Sequence, residues 1–303
     1  ATRLEQPLQG GGVAGPLAAH CPKAGWKLVL KDELHRSFVS FCRAAFSSSL
    51  LDLWWQQLVH KIIWKRPMVG KGLLPRKAAW LTMQGCTCAY SYGGMRWPAI
   101  SMDPWFLEIT DHVCRACGIK ERPNSCNANF YEDGSHSVAW HADDEALFAA
   151  KKCDTLIVSL SLGGERVFQM RRKSEASEIL SLPLRHGDLC CMEGLMQKHY
   201  QHRIPREAGP AEPRINLTWR WIMKHDAGCG NTAAGVRALP PPPAPPPPPA
   251  PPQLSSSQSL PPAPSLPPAL PRLRKERSSA SGIRLCLQQC FINPSQCVCP
   301  LRQ

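Results

Sequence analysis

The chain has 303 residues, of which 43% are hydrophobic, and a formal charge of +13. That is room for one sizeable domain with extensions, and the positive balance points to a polyanionic partner. No uninterrupted apolar run reaches the roughly 18 residues of a membrane span, and no charged-then-apolar leader pattern opens the sequence. The 15 cysteines are odd in number and irregular in spacing, and several sit in apolar runs, such as Cys153, Cys190 and Cys191. This argues for buried thiols in a reducing compartment, nuclear and/or cytoplasmic, over a disulfide scaffold.

Residues 1–25 are rich in Gly, Pro and Ala, and residues 1–33 are expected to be a disordered extension. Residues 34–63 read as helical, most clearly in "SSSLLDLWWQQLVHKII". "DPWFLEITDHVCRACG" has helical spacing and ends at Gly118, a C-cap residue; Cys114 and Cys117 then share a helix face, which favours core packing over a metal or redox role. Strands follow: "DTLIVSLSL", "ERVFQMR", a hairpin of "EILSLPL" and "LCCMEG" across "RHGD", and last "RINLTWRWI". Many short strands joined by Gly/Asp turns indicate a sandwich or jelly roll. Residues 34–225 therefore read as one domain. Residues 240–271 hold 17 of the 31 prolines and are expected to be polyproline II or disordered, a spacer or a ligand for a proline-recognising domain. "RLRKER" and a tail with Cys286, Cys290, Cys297 and Cys299 follow, the four thiols being a weak candidate zinc site.

Two stretches carry chemistry. In "SVAWHADDE", residues two apart on a strand share a face, so His141 and Asp143 project together with Ala142 turned away. They supply two of the three ligands of a two-His-one-carboxylate triad. The third should be a His downstream: His186, His199 or His202. A bare H-x-D is common by chance, so its weight depends on its surroundings. In "RINLTWR", Arg214, Asn216, Thr218 and Arg220 share one strand face, and Ile215, Leu217 and Trp219 the other. The bland reading is an edge strand with a solvated face. Arg at both ends, with Asn and Thr between, suits a dicarboxylate better than water.

With "NFYEDG", "WHADDE", "HRIP" and "PRINLTWR" in that order, the sequence resembles the AlkB family of Fe(II)- and 2-oxoglutarate-dependent dealkylating dioxygenases, most of all its eukaryotic nucleic-acid repair homologues. The likeness covers roughly residues 73–224. It implies an α+β fold with a double-stranded β-helix (jelly-roll) core and flanking N-terminal helices. It implies His141, Asp143 and His202 as iron ligands, His202 being preferred because "HRIP" follows the family pattern. It implies Asn129, Tyr131, Arg214, Asn216 and Arg220 as 2-oxoglutarate contacts. Tyr90 and Tyr92 match aromatic lid positions, and Glu145 an acidic base-contacting position; Asp144 or Glu145 would favour a cationic base, or Asp144 orients a neighbouring cation, and an ordinary strand with one buried aromatic is the bland reading of "YSY".

The activity so implied is oxidative demethylation of 1-methyladenine- or 3-methylcytosine-type bases in DNA and/or RNA, releasing formaldehyde, succinate and CO2. The alternatives are an oxygenase of the same type acting on a protein or small substrate, and a catalytically dead nucleic-acid-binding module. Lys61, Lys65, Arg66, Lys71, Arg76 and Lys77 could track a phosphate backbone, a solvated helix end and loop being the bland reading; "MRRK" at 170–173 with Lys151 and Lys152 adds positive charge near the site. No membrane association and a monomer are expected.

Overall fold

The computed structural model describes residues 25–92 and 94–231. Contacts divide the chain into Ala1–Pro243 and Ala244–Gln303, and all described residues lie in the first unit. Residues 1–24, the proline run, "RLRKER" and the four tail cysteines lie outside the described residues.

In chain order the strands and helices are β1 (Trp26–Asp32), β2 (Ser37–Cys42), α1 (Ser48–Lys61), β3 (Met68–Val69), β4 (Gly72–Leu73), β5 (Lys77–Thr82), β6 (Tyr90–Tyr92), β7 (Met95–Trp97), β8 (Ile100–Ser101) and α2 (Pro104–Cys117). They continue with β9 (Ser125–Tyr131), β10 (Val138–His141), β11 (Thr155–Gly163), β12 (Arg166–Arg172), β13 (Ile179–Leu184), β14 (Leu189–Gly194), α3 (Met196–His199), β15 (Tyr200–Ile204) and β16 (Arg214–Arg220). One sheet has the order β1-β2-β14-β11-β16-β9-β5-β8 and the other β10-β15-β12-β13, with two small ribbons, β3–β4 and β6–β7. From β11 onward the chain steps between the two sheets, which is the jelly-roll path.

The larger sheet buries different residues on its two faces. Ile215, Leu217 and Trp219 of β16 pack with Leu51, Trp54 and Leu58 of α1 and with Phe106, Ile109 and Val113 of α2. Each such side chain stabilises the fold by about 1.5–3 kcal/mol relative to exposure. Between the sheets lie Val39, Phe41, Ile157, Phe168, Met170, Leu182, Cys190 and Met192. The helix α2 ends as its sequence indicates: Gly118 takes the left-handed conformation at φ 68, and Cys114 and Cys117 are buried in the helix-side core.

Two expectations fail. The helical reading of 34–63 holds only for α1. Upstream, β1 and β2 form a hairpin whose second strand pairs with β14, Val39 facing Met192 and Phe41 facing Cys190 in register. "SFVSFC" alternates with the strand period, and β14, far along the chain, supplies the ladder that a local reading does not see. Among the described residues the sheet therefore begins at Trp26, inside the segment read as an extension, and one helix precedes the lid region. The expected hairpin of β13 and β14 is also absent. β13 pairs with β12 in the smaller sheet and β14 with β11 and β2 in the larger, so "RHGD" is the corner between sheets.

Candidate metal centre and its pocket

β10 and β15 pair antiparallel, and the register places His141 opposite His202. Asp143 follows β10 directly, so a non-local strand pair completes what the local H-x-D begins. The ligand atoms of His141, Asp143 and His202 all lie within 4.8 Å of one another. His141 Nε2 is 3.7 Å and His202 Nε2 3.9 Å from the Asp143 carboxylate. The Ala139 carbonyl, 2.9 Å from His141 Nδ1, accepts from that nitrogen and leaves Nε2 with its lone pair toward the cluster. The Asp143 N–H donates to Gln197 Oε1 at 2.9 Å.

The other candidates for the distal ligand lie elsewhere. His186 Nδ1 accepts from the Gly163 N–H at 2.8 Å, and the His199 ring packs 4.7 Å from that of His35.

Burial sets the charge states. It presses the His202 pKa down to about 3, helped by His141 beside it, and it lowers that of His141 as well. Both imidazoles are thus neutral, the state a metal requires. Burial alone would raise the Asp143 pKa. Arg220, with Nη2 2.9 Å from the carboxylate, together with His202, His141 and Arg76 outweighs it and holds Asp143 below its usual range.

The triad opens into a cavity of about 650 Å³. One wall is built by the pairing of β9 with β16, which sets Asn129 opposite Asn216 and Tyr131 opposite Arg214. Arg214 is 1% exposed. Its Nη2 donates to Ser161 Oγ at 2.9 Å, while Nε and Nη1 are buried without a hydrogen-bond partner. The neighbouring Arg166 has an anion, Glu207, at 2.8 Å; no ion pair of Arg214 is formed among the described residues. An unpaired guanidinium in such a place is costly without a counter-anion. The two arginines of β16 therefore differ: Arg220 is ion-paired with Asp143 and bonded to Tyr90, whose hydroxyl accepts from Nη1 at 2.9 Å, and keeps only Nε unpartnered, whereas Arg214 has no ion pair among the described residues and keeps both Nε and Nη1 unpartnered.

The lid residues also separate. Tyr90 is 2% exposed, packed against Trp80, Tyr92 and Phe148, and donates to Glu145 Oε1 at 3.0 Å. It supports the cavity wall, and Tyr92 is the more accessible of the two tyrosines, either of which could stack on a base. Tyr92 is half-buried at the cavity, with Arg76 5.6 Å from its ring centre. Asp144 is paired with Lys151 at 3.3 Å and Lys173 at 3.4 Å. Glu145 keeps a buried Oε2 without a partner, and burial, then Asp143, raises its pKa to about 7.

Arg76, read as a phosphate contact, is buried and donates from Nε to Asn129 Oδ1 at 2.7 Å. It joins the cavity wall because β5 pairs with β9, a relation its basic neighbours conceal. Gln197 and Trp140 were also missed. Trp140 lines the cavity and carries Arg171 and Arg203 at 4.2 and 4.5 Å from its ring centre. Its place next to His141 was the available signal.

Residues 39–220 match the family model described as the 2OG-Fe(II) oxygenase superfamily. "Alpha-ketoglutarate-dependent dioxygenase alkB homolog 3" of Mus musculus is 41% identical over 35% of this chain and 38% of that protein. The match thus spans about two fifths of that relative's length. "DNA oxidative demethylase ALKBH2" of Homo sapiens is 29% identical over 73% of this chain and 83% of its own. A solved structure, "The structure of OsALKBH1", aligns with a TM-score of 0.44 and 18% identity over 60% of this chain and 96% of that one.

Proposed function

The chain belongs to the 2OG-Fe(II) oxygenase superfamily as an AlkB-family member, and we propose that it is an oxidative demethylase of N-alkylated nucleobases in DNA and/or RNA. The observation that carries this is one cavity holding both a two-His-one-carboxylate triad and a buried arginine with unpaired donors. The triad fits Fe(II), and the unpaired Arg214 fits one carboxylate of 2-oxoglutarate. Together the two groups supply the oxidation of an N-alkyl carbon by dioxygen, with succinate, CO2 and, from a methyl substrate, formaldehyde as products.

His141, Asp143 and His202 would hold the metal. Arg214 anchors the dicarboxylate, with Asn129, Tyr131 and Asn216 beside it. Arg220 keeps Asp143 ionised and in place. On the substrate side, Glu145 when ionised complements the positive charge of 1-methyladenine or 3-methylcytosine. Asp144, already paired with two lysines, is assigned to positioning them. Tyr92 and Trp140 present aromatic surface where an unstacked base would enter.

A nucleic acid is favoured over a protein or small substrate by the β3–β4 hairpin. Val69 lines the cavity, Met68 and Leu73 are 58% and 53% exposed, Lys71 sits in the turn between them and Lys65 precedes them. An exposed apolar pair on a short ribbon whose turn carries a lysine suits contact with bases while the cations hold phosphate.

The test is mass spectrometry of 1-methyladenine and 3-methylcytosine oligonucleotides, DNA and RNA, after incubation with Fe(II) and 2-oxoglutarate. Loss of one methylene per modified base, with matching formaldehyde, is expected. Unchanged oligonucleotides, from protein that converts 2-oxoglutarate with a peptide or small amine, would favour the second reading.

A further inference from the structure

A second cluster of metal-ligating side chains lies apart from the triad, and neither the fold nor the demethylase reading uses it. Cys86 and Cys88 stand in the loop that runs from β5 into β6. His225 and Cys229 stand in the segment after β16. The sequence holds them as C-x-C and H-x-x-x-C, more than 130 residues apart, so neither half resembles a paired zinc motif by itself. In the fold the four donor atoms lie within 4.8 Å of one another.

The geometry points to a structural zinc site formed by Cys86, Cys88, His225 and Cys229. His225 Nδ1 lies 3.7 Å from Cys86 Sγ, 3.3 Å from Cys88 Sγ and 3.3 Å from Cys229 Sγ. A tetrahedral zinc with bonds of about 2.3 Å to sulfur and about 2.0–2.1 Å to nitrogen has S···N edges of roughly 3.5 Å. The three observed separations bracket that edge.

The donor set is three soft sulfurs and one imidazole, which suits zinc over magnesium or calcium. The three cysteines are buried, so four protein ligands close the site. Backbone N–H groups face the sulfurs, as thiolates require: that of Asp226 donates to Cys88 Sγ at 3.2 Å, and those of Thr87 and Asn231 face Cys229. The surrounding chain is held for the purpose. The Cys88 carbonyl accepts from Trp80 Nε1 at 2.9 Å, the Cys86 carbonyl from Thr82 Oγ1 at 3.0 Å, and the Gln84 carbonyl from Asn231 Nδ2 at 3.1 Å.

The metal ties the chain end that leaves β16 to the loop that feeds β6. Cys88 is two residues from Tyr90, and Cys86, Cys88 and Cys229 belong to the same apolar cluster as Trp80, Tyr90, Trp97 and Phe148. The zinc thus fixes the root of the β6–β7 ribbon, whose Tyr90 holds Arg220 and Glu145. Metal binding at these four residues does not depend on the demethylase reading.

The test is metal analysis of the full chain purified without chelator, together with the Asp143→Ala, Cys229→Ser and His225→Ala variants. Since the triad can itself take up zinc, the reading is made in Asp143→Ala. One zinc per chain is expected there, released when a mercurial modifies the thiols. Cobalt substitution should give a thiolate-to-Co(II) charge-transfer band in the near ultraviolet, which the sulfur-free triad cannot produce. Adding Cys229→Ser or His225→Ala should remove the zinc and speed amide exchange in residues 83–97. Folded Asp143→Ala protein with less than a tenth of a zinc per chain and no cobalt–thiolate band overturns the proposal, whatever the Cys229 and His225 variants do. So does a Cys88–Cys229 disulfide found in the isolated protein.

Discussion

The triad of His141, Asp143 and His202 and the cluster of Cys86, Cys88, His225 and Cys229 are both compact sets of metal-ligating atoms, and they are built for opposite ends. The triad offers three hard or borderline ligands at the wall of an open cavity, with a charged guanidinium on its carboxylate. The cluster offers four ligands, three of them sulfur, turned inward among apolar side chains and backbone donors. Three ligands leave room for a reacting molecule, while four shut it out. Which kind of site a chain has is decided by ligand number and access, more than by the presence of a metal.

The comparison breaks most sharply at Asp143. Asp143→Ala removes the one anionic ligand of the triad, and turnover of methylated oligonucleotides should fall by about a thousandfold or more, about 4 kcal/mol in the barrier. The circular dichroism spectrum and the thiol-bound zinc should stay. His202→Ala should match it and His199→Ala should be far milder; the reverse order would show the wrong distal ligand. Near-normal formaldehyde release by folded Asp143→Ala protein would remove the triad from the mechanism.

At the closed cluster the expected loss is in stability. Cys229→Ser should lower the thermal midpoint well beyond the effect of a surface substitution, which shifts stability by about 0.5 kcal/mol or less. A midpoint unchanged by Cys229→Ser, measured by calorimetry on metal-replete protein, would leave the cluster without a structural role.

A finer difference separates the two arginines of β16. Arg214→Lys keeps the charge and loses the fork, so the 2-oxoglutarate requirement should rise about tenfold, equivalent to about 1.4 kcal/mol. Maximal turnover should change little. Arg220→Lys disturbs Asp143 and Tyr90, so its main effect should be on maximal turnover. Titration of 2-oxoglutarate, with oligonucleotide binding measured in parallel, distinguishes them. Weakened oligonucleotide binding with an unaltered 2-oxoglutarate requirement would instead make these arginines phosphate contacts.

The smallest effect is expected remote from both clusters, at Asp32. Its carboxylate accepts from Tyr200 Oη and from Arg172 Nη2, each at 2.8 Å. Burial acts to raise its pKa, but the hydrogen bonds from Tyr200 and His35 outweigh it and lower it below 3.8. The resulting stability is present above the unfolded value and is lost as pH falls through the lower folded value. Asp32→Asn should therefore cost about 1 kcal/mol at neutral pH and flatten the acid limb of the stability curve. Denaturant titrations at pH 7 and below pH 4 would show whether the variant and parent converge.

The sequence by itself determined whatever repeats over a few residues. The period of β16 separates Arg214, Asn216 and Arg220 from Ile215, Leu217 and Trp219, and the fold keeps that division because a strand can only alternate. The helical spacing of 104–117 and its glycine stop also stand by local geometry. His141 and Asp143 were legible for the same reason. Tertiary structure decided what depends on partners far along the chain. The pairing of β10 with β15 sets His202 opposite His141, and the pairing of β9 with β16 makes one wall from two motifs. It drew Arg76 into the cavity and closed Tyr90 against Trp80. It divided β13 and β14 between two sheets, although one turn joins them. It brought Cys86 within reach of His225, 139 residues away. Such contacts form because sheets are completed by strands that leave little trace of one another in local periodicity, so the ligands of the closed cluster lay in two unremarked fragments until the ladder from β5 through β9 to β16 aligned their ends.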